Sequence, residues 1–316
     1  MKSINKQNRE TEFTFQKPKL KLHKVLKSLS KSTKEERINW AGSILNIPAV
    51  WQITQGKNTK VAVLDTGIDE SHPDLKEAII ETHDFTNEGI NDNNGHGTHC
   101  AGIIGARLNN FGFVGVAPQC ELLIGKVLGN NGGSNQMVAD GIYWATDNGA
   151  DIISMSLGGP YSDNELFQAI HYALFHGKTV ICAAGNSGKL SKNSVGYPGK
   201  YGGVITVASH DENGNVSGFS SRGGELDFTA PGSNIWSTFN NGGFAELSGT
   251  SMATPFVAGL AALILSKHKQ TPINNTPLNN CEDMRQHLMR MATHPGYFEN
   301  SSGYGPLLPF EYFYDK

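Results

Sequence analysis

An α/β fold with a mostly parallel central sheet, three layers deep (α/β/α), is the architecture that this 316-residue sequence predicts. Three observations carry the reading. Short apolar runs alternate with helical patterns along most of the chain, which gives a parallel sheet covered on both faces. Unusual residues (Asp, His, Ser, Gly) fall where those runs end, and a sheet of this kind binds substrate at the carboxyl ends of its strands. Glycine is abundant, at 37 residues, which implies tight turns and close backbone approaches.

The elements follow in chain order. Residues 1–36 read as a basic leader or short pro-segment, and 37–316 as one catalytic body. Residues 1–37 carry eleven Lys/Arg against four Glu, a net of +7, so the remaining 15 basic and 25 acidic groups leave −10 on the rest. Opposite charge should draw leader and body together. The leader lacks the apolar core of a secretion signal, and Leu20–Leu29 predicts a short basic amphipathic helix. Lys60–Asp65, Glu121–Leu128, Asp151–Leu157, Thr179–Ala184 and Val204–Ser209 read as buried strands. Thr98–Ala106, Val138–Asn148, Asp163–His176 and Ser251–His268 read as helices.

Composition excludes several classes. With 38% hydrophobic and 17% charged residues the chain is globular, and a net charge of −3 does not suggest a nucleic-acid binder. No apolar run approaches the roughly 18 residues of a membrane span. Four scattered cysteines suggest free thiols in a reducing compartment.

Three polar clusters stand out. Asp65 ends the first strand, where an acid is ordinarily a cap or a turn residue. Asn94–Cys100 places His96 between two glycines. The spacing of His96, His99 and Cys100 also has metal-ligand character, although no further ligand cluster supports it. Ser251 opens a long apolar helix, where serine is ordinarily a cap but also where a nucleophile gains from the helix dipole. Together the clusters supply the parts of nucleophilic acyl transfer. A serine needs a base to take its proton; His96 can be that base, and Asp65 can orient and stabilise the imidazole.

The motifs VAVLDTGID (61–69), NGHGTHCAG (94–102) and SGTSMATP (248–255), in the order Asp, His, Ser, resemble those of the subtilisin-like serine proteases. The resemblance runs from about Trp40 to Leu307 through SHPDL (71–75), GVAP (115–118), ISMSLGGP (153–160), CAAGN (182–186), YPGKYGGVITVAS (197–209), FSSRGGELDFTAPG (219–232) and GYG (303–305). It is nearest to the intracellular subtilisins of bacilli.

The resemblance implies a three-layer subtilisin-like fold and an endopeptidase acting through an acyl-enzyme on Ser251. His96 would be base then acid, Asp65 its orienting partner, and Asn186 an oxyanion-hole donor. It implies an extended substrate lying against Gly132, Gly133 and Ser156–Leu157–Gly158. A primary pocket would be walled by Ser156–Gly158 and by Ala183, Ala184, Gly185 and Asn186, with Gly196 at its base, suiting large apolar side chains. It implies structural calcium held by Asp74 and Asn109 with the carbonyls of Arg107, Phe111 and Phe113, and a weaker cation site at Gly199, Tyr201 and Val204. Tyr197–Pro198 would be cis. Cys100 is either a small packing residue or a thiol near the imidazole that confers mercurial sensitivity. Implied partners are protein or peptide substrates, without nucleic acid or integral membrane association; likeness to the intracellular branch suggests a homodimer and a cytoplasmic location.

Two other classes compete. A non-catalytic subtilase-like binding protein has no need of Asp65, His96, Ser251 and Asn186 together. A nucleotide-binding α/β enzyme would need a Gly-rich phosphate loop opening a helix, and none is present.

Overall fold

The computed structural model describes residues 27–29, 35–188, 191–273 and 276–314. Its strands are β1 (Lys27–Leu29), β2 (Lys60–Asp65), β3 (Ile79–Asp84), β4 (Glu121–Lys126), β5 (Ile152–Met155), β6 (Thr179–Ala183), β7 (Ile205–His210), β8 (Phe228–Pro231), β9 (Ile235–Phe239) and β10 (Gly243–Leu247). Its helices are α1 (Trp40–Ile44), α2 (Ile47–Val50), α3 (His96–Gly105), α4 (Asn135–Asp147), α5 (Asn164–Phe175), α6 (Thr250–Gln270), α7 (Cys281–Met289) and α8 (Pro309–Tyr314).

Seven strands form one parallel sheet in the order β3-β4-β2-β5-β6-β7-β8. Because side chains alternate along a strand, the strands β2, β4, β5 and β6 each feed two cores. Val61 and Val63 of β2 join Leu122 and Ile124 of β4 in the layer under α3 and α6. Ala62 and Leu64 join Leu123 in the opposite layer, under α4 and α5. The chain belongs to the three-layer α/β/α class that its sequence predicts, and the sheet is parallel throughout.

The α6 helix is 21 residues long, and it is long and apolar enough to cross a membrane by length and composition. In the fold 89% of that stretch is buried inside the protein. Its one glycine and its alanines, serines and threonines make it slim enough to pass through a packed core; Gly259 lies where a Cβ would come within 2.6 Å of Val116.

The leader differs from its expected helix. Residues 27–29 form a strand whose register on β10 is Lys27↔Glu246, Ser28↔Ala245 and Leu29↔Phe244, making a second sheet, β1-β10-β9. The rest of the expected helix, 20–26, lies outside the described residues. At the end of the expected leader, Glu36 Oε1 accepts from the backbone N–H groups of Asn109 (2.7 Å) and Asn110 (3.0 Å). All four cysteines are free and buried, and the Tyr197–Pro198 peptide is cis.

Candidate active site

Strand β2 ends in Asp65, which is 0% exposed. Its Oδ1 accepts from the Thr66 backbone N–H (2.8 Å) and lies 2.7 Å from His96 Nδ1. In the neutral ring that contact makes Nδ1 the protonated nitrogen and leaves the lone pair on Nε2, the form a general base requires. The other carboxylate oxygen, Oδ2, is buried without a partner among the described residues. A carboxylate held so dry is compensated best by charge on the neighbouring imidazole.

His96 is the first residue of α3. The glycines on either side are there for packing as well as for turning. Gly95 has φ 92°, and a Cβ there would come within 2.3 Å of the Phe239 ring; a Cβ at Gly97 would come within 2.3 Å of the Gly67 carbonyl oxygen. Burial alone would lower the pKa of His96, but the Asp65 carboxylate outweighs it and holds the imidazole well above its usual range. Cys100 adds little charge to this balance, because burial raises its own pKa and keeps it the neutral thiol.

Ser251 lies in the first turn of α6. Its Oγ donates to the Ser156 carbonyl at 3.2 Å, and among the described residues no hydrogen bond joins it to the His96 ring. Hydrogen bonds of this kind are often long in a free enzyme and tighten with substrate. The Ser251 carbonyl is tied down from two other elements. Pro255, four residues on, has no N–H to give it. In its place the Ser156 hydroxyl donates at 2.8 Å and the Cys100 thiol at 3.4 Å. Cys100 Sγ also lies 3.8 Å from His96 Nδ1. The thiol is thus both a buried packing group and a neighbour of the imidazole.

Asn186 follows the end of β6. Its Oδ1 accepts from the Thr250 N–H (2.9 Å) and the Thr250 hydroxyl (3.1 Å), and that hydroxyl accepts from the Gly185 N–H (3.1 Å). With the oxygen so engaged, the amide NH₂ has no acceptor among the described residues. Thr250, which lies inside SGTSMATP but to which that motif assigns no role, therefore orients the donor.

The segments expected to hold substrate lie beside these groups. Gly129 and Gly132 pair through two backbone bonds, and Gly159 pairs with Tyr197 in the same way. The Gly196 N–H donates to the Ala184 carbonyl (3.0 Å), which brings Ala183–Gly185 and Gly196 together as expected. A shallow cleft opens between Gly133–Ser134 and Leu157–Gly159, lined also by Leu128, Val138, Leu166 and Tyr197. Val138 and Leu166 belong to the helical faces of α4 and α5, so their part in a binding cleft is hidden in an ordinary amphipathic pattern.

His99 does not join His96 in a ligand set. Its Nε2 lies 3.0 Å from the Ile235 carbonyl and 3.1 Å from that of Ala245, so it clips α3 to β9 and β10. Burial, with the nearby His96, pushes its pKa down to about 3. Among the described residues, the three side chains of metal-ligand type that do converge are Asp65, His96 and Cys100.

Asp74 is 0% exposed. Its Oδ2 accepts from the Phe113 N–H (2.8 Å), its Oδ1 from the Asn109 amide (3.1 Å), and its backbone carbonyl from the Arg107 N–H (2.8 Å). A Cβ at Gly112 would come within 2.3 Å of Asp74 Oδ2, so the loop can close over the carboxylate only with glycine there. Burial raises the Asp74 pKa, and the charge of Glu36 raises it further, against the hydrogen bonds from Phe113 and Asn109. At the second suggested cation position two of the three carbonyls are already engaged. Gly199 accepts from Thr206 Oγ1 (2.5 Å), and Val204 from Arg285 Nη2 (2.7 Å).

A family model described as the subtilase family matches residues 56–305. Among curated proteins, the chain is 44% identical over 243 residues to thermitase of Thermoactinomyces vulgaris, covering 76% of this chain and 86% of the relative. It is 48% identical over 230 residues to an intracellular serine protease of Paenibacillus polymyxa, covering 70% and 71%. It is 46% identical over 239 residues to the major intracellular serine protease of Bacillus subtilis (strain 168), covering 72% and 75%.

Proposed function

The chain belongs to the subtilase family and is a serine endopeptidase, and from that premise we propose that Asp65, His96, Ser251 and Asn186 carry its chemistry. The observation that supports this most directly is the buried 2.7 Å contact between Asp65 and His96 beside the first turn of α6. Ser251 Oγ attacks the scissile carbonyl while His96 Nε2 takes its proton. The imidazolium so formed is stabilised by Asp65 and hands the proton to the leaving amine. The Asn186 NH₂ and the Ser251 N–H receive the negative oxygen; a donor of this kind is worth about 10²–10³ in turnover. Water activated through His96 then releases the acyl group and restores the hydroxyl.

Substrate specificity is proposed to be broad along the extended backbone, with a preference for large apolar P1 side chains. Small walls at Ser156–Gly158 and Ala183–Gly185, with Gly196 at the base, support it. Residues 1–36 are proposed to act as an inhibitory leader on the strength of the +7/−10 charge division. One assay tests both. A fluorogenic peptide series varied at P1 is expected to be cleaved fastest at Phe, Tyr or Leu, with all cleavage stopped by a fluorophosphonate. Faster cleavage of charged or small P1 residues rejects the specificity. Removing residues 1–34, which spares Glu36, is expected to raise the rate; an unchanged rate and salt response rejects inhibition.

Two relatives are named as intracellular proteases. On that ground we place this chain in the cytoplasm, a reading that recovery of the activity outside the cell would overturn.

Calcium is proposed at Asp74. The donor set fits a hard cation, which takes six to eight oxygens. Two carboxylates, Asp74 and Glu36, meet on the loop 109–113, and the charge of one raises the pKa of the other. Asn109 and the carbonyls of Arg107, Phe111 and Phe113 complete the set. Glu36 takes the place of the leader-side ligand that no sequence motif identifies. The ion would stabilise the loop and has no step in the reaction. The Gly199–Tyr201–Val204 position is not proposed further, since a cation there competes with the Arg285 guanidinium for Val204. Calcium at 100 times its dissociation constant adds about 2.7 kcal/mol, so its removal is expected to lower Tm by about 4 °C in a chain of this length. Melting the inactive Ser251→Ala protein with chelator and with calcium checks this without autolysis. Equal melting temperatures sink the assignment.

A further inference from the structure

Four residues before His96 lies Asp92, which is 5% exposed and whose carboxylate accepts five hydrogen bonds. Oδ1 takes the Thr66 hydroxyl (2.9 Å) and the N–H groups of Asn94 (3.1 Å) and Gly95 (2.8 Å). Oδ2 takes the N–H (2.8 Å) and hydroxyl (2.7 Å) of Thr98. The Thr66 hydroxyl accepts in turn from the Gly97 N–H (2.9 Å). The backbone is therefore pinned immediately before His96, immediately after it and one residue further on.

These bonds close a ring. Asp65 holds the imidazole from β2; Thr66, its neighbour in the chain, is bound to Asp92; and Asp92 is bound to the residues flanking His96. Ring and backbone of the histidine are thus referred to the same two-residue strand end. An ordinary helix cap needs one or two such bonds. Five donors onto one group demand an acceptor-only side chain, and asparagine could not accept on both atoms. The buried Lys126 lies close by, its Nζ donating to the Asn91 carbonyl at 2.7 Å, and the Asn240 amide donates to the Asp92 carbonyl at 3.1 Å.

We propose that Asp92, acting through Thr66, is a positioning residue for His96: it sets the distance and angle of the imidazole to Asp65 and Ser251, beyond holding the loop. The inference rests on the roles given above to Asp65, His96 and Ser251. Displacing a reacting group by about 1 Å costs on the order of 10²-fold. Asp92→Asn keeps one acceptor and sets an NH₂ against the Thr98 N–H. Thr66→Val cuts the link to Gly97 while keeping the shape of the side chain.

Peptide hydrolysis is to be measured per competent site, with sites counted by fluorophosphonate labelling carried to completion. Asp92→Ala is expected to lower kcat by about 10²-fold, with KM within about twofold. Asp92→Asn should recover part of the loss, and Thr66→Val should show a smaller fall of the same kind. A merely structural role lowers the melting temperature and the number of competent sites while leaving kcat per site alone. Should Asp92→Ala not fold, the other two variants decide. A kcat per site within twofold of wild type in both overturns the proposal. Labelling of wild type at Ser251 separates that result from a failure of the roles it builds on.

Discussion

Ser251→Ala is expected to abolish peptide cleavage and fluorophosphonate labelling together while leaving the melting curve in place. In subtilisin, a relative, loss of the nucleophile costs about 2 × 10⁶ in kcat, and a fall of that order is the expectation here. The structural grounds for an undisturbed fold are specific. The Ser251 hydroxyl makes one hydrogen bond, at 3.2 Å to the Ser156 carbonyl. The groups that anchor this turn, Ser156 Oγ and Cys100 Sγ, bind the backbone carbonyl of residue 251, which alanine keeps. A variant that still labels places the nucleophile elsewhere. A variant that stops cleaving because it unfolds shows that the serine was holding the turn. Residual cleavage at 10³–10⁴ above water is compatible with the reading, since the oxyanion donor and substrate contacts survive.

Asp65→Asn is the second large effect, about 10⁴-fold in kcat. The amide can occupy the same volume, but it cannot compensate an imidazolium, and it can present an N–H to Nδ1 and invert the tautomer. The sign of the pH effect follows from the Asp65 charge. That charge raises the His96 pKa against the lowering caused by burial. Its removal therefore moves the acid limb of kcat/KM, which reports the free enzyme, to lower pH. A limb that stays in place means that another group raises His96. Stability responds in the matching sense. The raised pKa contributes stability that is complete below the unfolded-chain value of histidine and is lost as pH climbs through the folded value. The asparagine variant is expected to lack that alkaline loss.

Much of the fold can be read from side-chain pattern, because a strand buried on both faces is a run of apolar residues. Lys60–Asp65 has the bounds its sequence predicts, and Thr179–Ala183 falls short of the expected strand by one residue. The edge strand Ile79–Asp84 (IIETHD) is half exposed and carries no such run. Phe228–Pro231 is four residues long and ends in proline, which reads as a turn. The same division holds at the site. Asp65, His96, Ser251 and Asn186 sit in short motifs at strand or helix ends, where residue type alone suggests chemistry. Thr66, Thr250 and Glu36 act through hydrogen bonds to partners tens of residues away, as Asp92 does toward Thr66 beside its local bonds to Asn94, Gly95 and Thr98, and the distant bonds leave no periodicity. Thr66 and Asp92 are 26 positions apart, and Thr250 and Asn186 are 64 apart. A polar residue of this kind reads as a turn until its donors are placed.

The short strand at Lys27–Leu29 has a bearing on how separate molecules meet. While it is paired, β10 is flanked on both sides, by β9 and by the chain's own beginning. Trimming that beginning uncovers a row of peptide groups along the ribbon, and a bare ribbon edge invites pairing with any extended segment in reach. A chain cut beyond Leu29 would therefore differ from the intact one in stickiness as well as in length. Crowded, freshly cut molecules would be the ones to clump.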